Sequence, residues 1–201
     1  MARLVDWGFP EPILQFAFHG EQGKALLLEF PPPKSAQKFG TIEGNISTAL
    51  AMAGDEKQFA VIADEAGSGD LLDARKKLEF IGERRSVDVI FRDISKILSA
   101  MQTELAKKNA CVAAAGSRHW NTETLKSSSI AEECEQPYQE ASRLWQSRAR
   151  ADFDWVSRML QHFPFQPSSQ LTPAEIQIWV DWWTKNKDTA QFRIASPKIH
   201  E

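Results

Sequence analysis

Residues Val87–Asn109 read VDVIFRDISKILSAMQTELAKKN, and the class of the fold turns on how the first five are taken. Val87–Phe91 is a short apolar run interrupted only by Asp88, so a strand is expected there. From that point Ile94, Ile97, Leu98, Met101 and Leu105 recur at the 3.6-residue spacing of an amphipathic helix that runs to Asn109, with Asp93 placed to cap it. The same alternation stands upstream. Phe59–Ala63 is apolar and runs into Asp64-Glu65 and the turn residues Gly67-Ser68-Gly69, the pattern of a buried strand leaving into a loop. Leu71–Glu83 then reads as a helix, with Gly82 near its end. Strand, helix, strand, helix is the order of an α/β or α+β unit.

Towards the N-terminus, Ile13–Phe18 and Ala25–Phe30 are apolar runs joined by His19-Gly20-Glu21-Gln22-Gly23-Lys24. Two glycines in a short connection predict a β-hairpin, ended by Pro31-Pro32-Pro33, which lack the backbone donors that a ladder requires. A helix is expected over Asn45–Ala53, where Ile46, Ala49, Leu50 and Ala53 share a face and Gly54 can close the last turn.

Downstream, Ala110–Ser129 loses periodicity and reads as a loop or linker. Pro137 then suits a first helical turn, and Tyr138, Ala141, Trp145, Ala149, Phe153, Val156, Leu160 and Phe163 trace one face until Pro164 and Pro167 stop the helix. Thr172-Pro173-Ala174-Glu175 combines a capping threonine, proline at the first helical position and a glutamate able to bond back to the cap. The expected fold is therefore α+β. A small mixed α/β N-terminal lobe, residues 1–108 with the hairpin and further strands, is followed by a loop over 109–136 and an α-helical C-terminal lobe over 137–201.

With 201 residues, 42% of them apolar and 25% charged, the chain is long enough for a full core. A formal charge of −3 supplies no general attraction for phosphate, so nucleic-acid binding would need a local basic patch. No secretory leader and no bilayer-spanning run stands out, and membrane association is not expected. Cys111 and Cys134 are few and far apart, which predicts a reducing, cytoplasmic setting rather than a disulfide framework.

Apolar area is concentrated near the C-terminus, where Trp179, Trp182 and Trp183 lie within five residues of one predicted helix. On a helical wheel Ile176, Trp179, Val180 and Trp183 form one face, while Ile178 and Trp182 lie roughly 130° from its centre. Trp179 and Trp183 are expected in the core, and Ile178 and Trp182 on a face open to a partner, a role in which tryptophan is enriched. On the preceding helix Arg148 and Asp152 are four residues apart and can pair. Arg143, Arg150 and Arg158, with Trp155 at their margin, form the one face that would suit a nucleic-acid backbone, although Glu140, Asp152 and Asp154 dilute it.

Asp64-Glu65-Ala66-Gly67 resembles the Asp-Glu-Ala-Gly signature of type 2 ribonucleases H. The resemblance covers about eleven residues, Phe59–Gly69, and implies Asp64 and Glu65 as carboxylates holding divalent metals in a nuclease. Those enzymes enter a second apolar strand directly after the glycines, whereas here Asp70 opens a charged helical stretch. His19, His119, His162 and His200 form no pair or cluster, and Cys111 with His119 is the one thiol and base that could be offered for nucleophilic chemistry. No phosphate-loop or dinucleotide fingerprint is present.

The expected function is non-catalytic: a subunit or adaptor of a larger assembly, with Ile178, Trp182 and Trp155 as anchors and Arg148, Arg150 and Arg158 as polar partners. A protein partner or self-association is expected, and neither cofactor nor metal. A compact chain without a catalytic signature would suit a component of a phage or other mobile-element particle, or an inhibitor of a host system. A nucleic-acid-binding subunit and the metal-dependent nuclease are the alternatives.

Overall fold

The computed structural model describes residues 12–30, 40–68, 71–118 and 127–193. They are helical: α1 (Pro12–Phe16) with a 3-10 turn over Ala17–His19, α2 (Gly20–Leu28), α3 (Ile42–Met52), α4 (Glu56–Ser68), α5 (Leu71–Ile81), α6 (Arg84–Arg118), α7 (Ser127–Met159) and α8 (Pro173–Asn186). At 81% helix and with no strand among the described residues, the protein is not α+β. Every segment expected as a strand is helical, and the chain forms two compact units, Met1–Val89 with Gln191–Glu201, and Ile90–Ala190.

The physical reason for the correction is clearest in α6. Val87, Ile90, Phe91, Ile94, Ile97, Leu98 and Met101 are all buried, and their spacing continues the helical stripe backwards through the run expected as a strand. A period sustained over many turns outweighs the local preference of two valines and an isoleucine for extended backbone. Asp93, expected as a cap, is consequently in mid-helix. In α4, Phe59, Ile62 and Ala66 are the buried set, the i, i+3, i+7 pattern of one helical face.

In the first unit, the two glycines expected in a hairpin loop do other work. Gly20 has φ +58°, a left-handed conformation that turns the chain between the 3-10 segment and α2. Gly23 lets α2 approach the end of α1 so closely that a Cβ there would lie 1.8 Å from the Phe16 carbonyl oxygen. Leu14, Ala17 and Leu27 can then join Ile46, Ala49 and Leu50 of α3 in one core. The proline run at 31–33 lies outside the described residues.

α3 was expected, and its ends are sharply specified. The Thr41 hydroxyl accepts the Gly44 N–H at 3.1 Å, Gly54 closes the helix at φ +86°, and Asp55 Oδ1 accepts the Lys57 and Gln58 N–H groups at 3.0 Å to start α4. α4 packs on α3 and α5. Arg85, in the first turn of α6, donates to Glu56 at 2.8 Å and to the Ala51 carbonyl at 2.6 Å while lying over the Phe59 ring.

The second unit is built on a helical hairpin. Asp93 pairs with Arg148, Lys108 with Glu135, and Cys111 with Cys134 in a disulfide whose Cα atoms are 5.8 Å apart. Partners on α7 move towards its start as those on α6 move towards its end, so the two helices are antiparallel. Residues 109–118 and 127–136, expected as loop, are helix, and Pro137 lies inside α7 rather than at its first turn. The alanine-rich sequence misleads because small exposed residues carry no period to read, although alanine is the best helix former. The disulfide also departs from the reducing setting expected from two widely spaced cysteines, so cysteine usage no longer argues for that compartment. Among the described residues no helix is long and apolar enough to cross a membrane.

Candidate functional site

α8 starts as its sequence directs, with Pro173 in the first turn and the Thr172 hydroxyl accepting the Glu175 N–H at 3.2 Å. The Glu175 carboxylate does not return to the cap. It accepts the Ser168 N–H at 2.8 Å and the Ser168 hydroxyl at 2.6 Å, and the Arg150 guanidinium donates to the Ser168 and Ser169 carbonyls. The irregular segment between α7 and α8 is thereby tied to both helices.

With that segment held, seven aromatic rings meet. Phe91 stacks on Trp183 with centroids 5.0 Å apart and planes 5° from parallel, and Phe153 meets Trp179 at 5.0 Å. Phe163 is the joint of the cluster, touching Phe91, Phe153, Phe165 and Trp182 at 5.1 to 6.2 Å. Edge-to-face and offset pairs at these separations add about 0.5–1.5 kcal/mol each beyond the area they bury. Ile176, Trp179 and Trp183 are buried, in accord with the wheel. Phe163, Phe165 and Trp182 are half-buried and form the rim of the cluster.

Ile178 lies one turn before Trp182 on the same side of α8 and is 55% exposed. Together with the Trp182 and Phe165 rings, which meet edge to face at 6.0 Å, it makes an apolar edge that the aromatic core supports from beneath. Ala174 and Lys185 continue this side of the helix and are exposed. Leu144 on α7 is more exposed still, at 66%. Its neighbours a turn away are Glu140 and Arg148, however, so it is an isolated apolar residue of the ordinary kind.

The remaining residues singled out in the sequence are dispersed. Trp155 is 1% exposed and belongs to the core. Arg148 donates twice to Asp93, Nε to Oδ2 at 2.9 Å and a terminal nitrogen to Oδ1 at 2.5 Å, and Arg150 is engaged with the two serine carbonyls. Arg158 is exposed near the end of α7. Asp152 is fully buried. The structure thus brings together Ile178 and Trp182 but not the arginines as one basic stripe.

Asp64 and Glu65 lie on α4, not at a strand end. Asp64 is exposed, while Glu65 accepts a hydrogen bond at 2.7 Å from Lys77, whose side chain is 1% exposed and which also lies 3.2 Å from Asp73. That arrangement balances a buried ammonium with two carboxylates, and it is not the geometry that the ribonuclease resemblance implies. Among the described residues no group of three or more His, Cys, Asp or Glu side chains is placed to hold a metal ion. Cys111 is in the disulfide, and His119 and His200 lie outside the described residues.

Two features of this unit escape a reading of the sequence. Phe163-Pro164-Phe165 supplies the joint and the rim, and two aromatics flanking a proline just after a helix are the available signal. The disulfide has no such signal, because its two cysteines are 23 residues apart and both fall in the stretch expected as loop. Comparison with protein-family models, with curated proteins and with solved structures returned no match.

Proposed function

We propose that the protein is a non-catalytic contact subunit that binds another protein through the outer edge of α8. Ile178 is the anchor, and Trp182 and Phe165 form the rim. The observation that carries this reading is an isoleucine left more than half exposed beside two half-buried aromatic rings, on a helix whose opposite face is fixed by stacked aromatics. An apolar group on a rigid support binds with little ordering cost, and a few such anchors carry most of an interface's energy. The engagement of Arg148 and Arg150 within the unit supports a protein partner over a nucleic acid, because neither guanidinium is left open to phosphate.

Native mass measurement of the protein taken from its own cell tests the proposal. A species heavier than the 22.7 kDa chain is expected, and Ile178→Asp should return it to the monomer mass with an unchanged circular dichroism spectrum. A wild-type protein that travels alone, or a complex that persists in Ile178→Asp, overturns it.

A further inference from the structure

We propose that Cys111 and Cys134 form a redox clasp, a disulfide that a dithiol reductant opens to release the far end of the α6–α7 hairpin while the aromatic end stays folded. Three observations carry it, and none involves the α8 edge. The first is the distribution of burial. Among the described side chains at positions 102–115 and 133–141, Cys134 alone is buried, whereas the stretch closer to the aromatic cluster is lined by Ile90, Ile94, Ile97, Met101, Ala149, Phe153 and Val156. Over these described positions the helices therefore run on together with little apolar core between them. At 1.5 Å per residue, the α6 portion past Met101 is about 25 Å long.

The second observation is Pro137, exposed within α7. Proline removes the hydrogen bond to the carbonyl four residues back and crowds it, which weakens a helix interior and isolates the first turns of α7 from the rest. The third is what holds those turns in place. Among the described side chains there, the contacts include the Lys108–Glu135 ion pair and the Lys108 ammonium 4.8 Å from the centre of the Tyr138 ring. Both are peripheral, and pairs of this kind contribute little against the entropy of ordering two helix ends. The covalent bond between Cys111 and Cys134 adds a far stronger restraint on this end of the hairpin.

Cys111 is the half-exposed sulfur carrier and Cys134 the buried one, so attack on Cys111 is the accessible route. A thiolate of the dithiol attacks Cys111 Sγ, and the electron pair of the sulfur–sulfur bond leaves on Cys134 Sγ, which takes up a proton. The second thiolate of the reductant then attacks its own sulfur in the mixed disulfide and releases the Cys111 thiolate, which is protonated in turn. Two electrons and two protons pass from the dithiol, which ends as a disulfide, and the protein gains two thiols.

Hydrogen exchange with mass detection on the full chain, before and after treatment with dithiothreitol and with Cys111→Ser/Cys134→Ser as the permanently open form, tests the clasp. Alkylation of both thiols monitors reduction. Exchange in peptides covering 102–115 and 133–141 should accelerate on the order of 100-fold, the factor that closing a loop of this size is worth. Peptides covering 90–101, 149–159 and α8 should keep their protection, and reoxidation should restore the tip. Full alkylation without faster exchange at the tip overturns the proposal, as does loss of protection throughout the unit. Failure of the reductant to expose either thiol in the folded protein overturns it as well.

Discussion

Arg148→Met removes a guanidinium that donates two hydrogen bonds to Asp93, at 2.9 and 2.5 Å, while largely keeping the aliphatic stem that packs beside it. The side chain of Asp93 is 5% exposed and that of Arg148 is 34% exposed. The pair therefore lies between two limits, an exposed ion pair worth about 0–1 kcal/mol and a buried one whose breakage costs about 3–5 kcal/mol. Since the carboxylate left behind is the buried partner, we expect a loss of about 2–3 kcal/mol. Asp93→Leu/Arg148→Met, which removes both charges, should recover most of this and lie within about 1 kcal/mol of wild type. The coupling in the cycle should then exceed about 1.5 kcal/mol. Urea unfolding followed by tryptophan fluorescence is the assay, because Trp145, Trp155, Trp179, Trp182 and Trp183 all belong to the second unit. A change below about 0.5 kcal/mol in Arg148→Met, the range of an ordinary surface substitution, would refute the reasoning and with it the register of α6 on α7. Weakened partner binding in that variant with unchanged stability would restore Arg148 to the contact role expected from sequence.

Other outcomes follow from single contacts. Gly23→Ala places a Cβ 1.8 Å from a backbone oxygen and should destabilise the first unit by about 3 kcal/mol, visible as an early far-ultraviolet dichroism transition. Trp155→Ala should cost about 3–5 kcal/mol in the same urea experiment, since it empties a core site. The hydrogen bond from Lys108 holds the Glu135 carboxyl below its ordinary value of 4.5. A depressed folded pKa stabilises above the unfolded value and is lost as pH falls through the folded one, so in the reduced form exchange at the hairpin tip should accelerate slightly as pH drops below about 4.5, after correction for intrinsic rates.

Legibility in the sequence followed the strength of each local signal. The helix at Thr172-Pro173 and the one closed by Gly54 were readable, because capping chemistry and period agree there. So was the split of the tryptophan helix into Trp179 and Trp183 inside and Ile178 outside, which needs only the angle between positions. The strands at Ile13–Phe18, Ala25–Phe30, Phe59–Ala63 and Val87–Phe91 were misread for a shared reason: a run of five or six apolar residues fits a buried strand and a buried helix equally. Val87–Phe91 was decidable, since Val87, Ile90, Phe91 and Ile94 already keep the helical spacing. Gly23 was not, because whether a glycine turns a hairpin or admits a helix depends on what lies across from it. The pairing of Asp93 with Arg148, 55 residues apart, has no local signature, and the shorter Arg148 to Asp152 spacing concealed it.

Hydroxyl-radical footprinting of side chains tests the contact edge most directly, comparing the protein in its native form from its own cell with the isolated refolded chain. The account predicts that oxidation at Ile178 and Trp182 falls at least about fivefold in the native form, as burial of an anchor requires, while Leu144 on α7 is labelled equally in both. Equal labelling of Ile178 in the two preparations would contradict it.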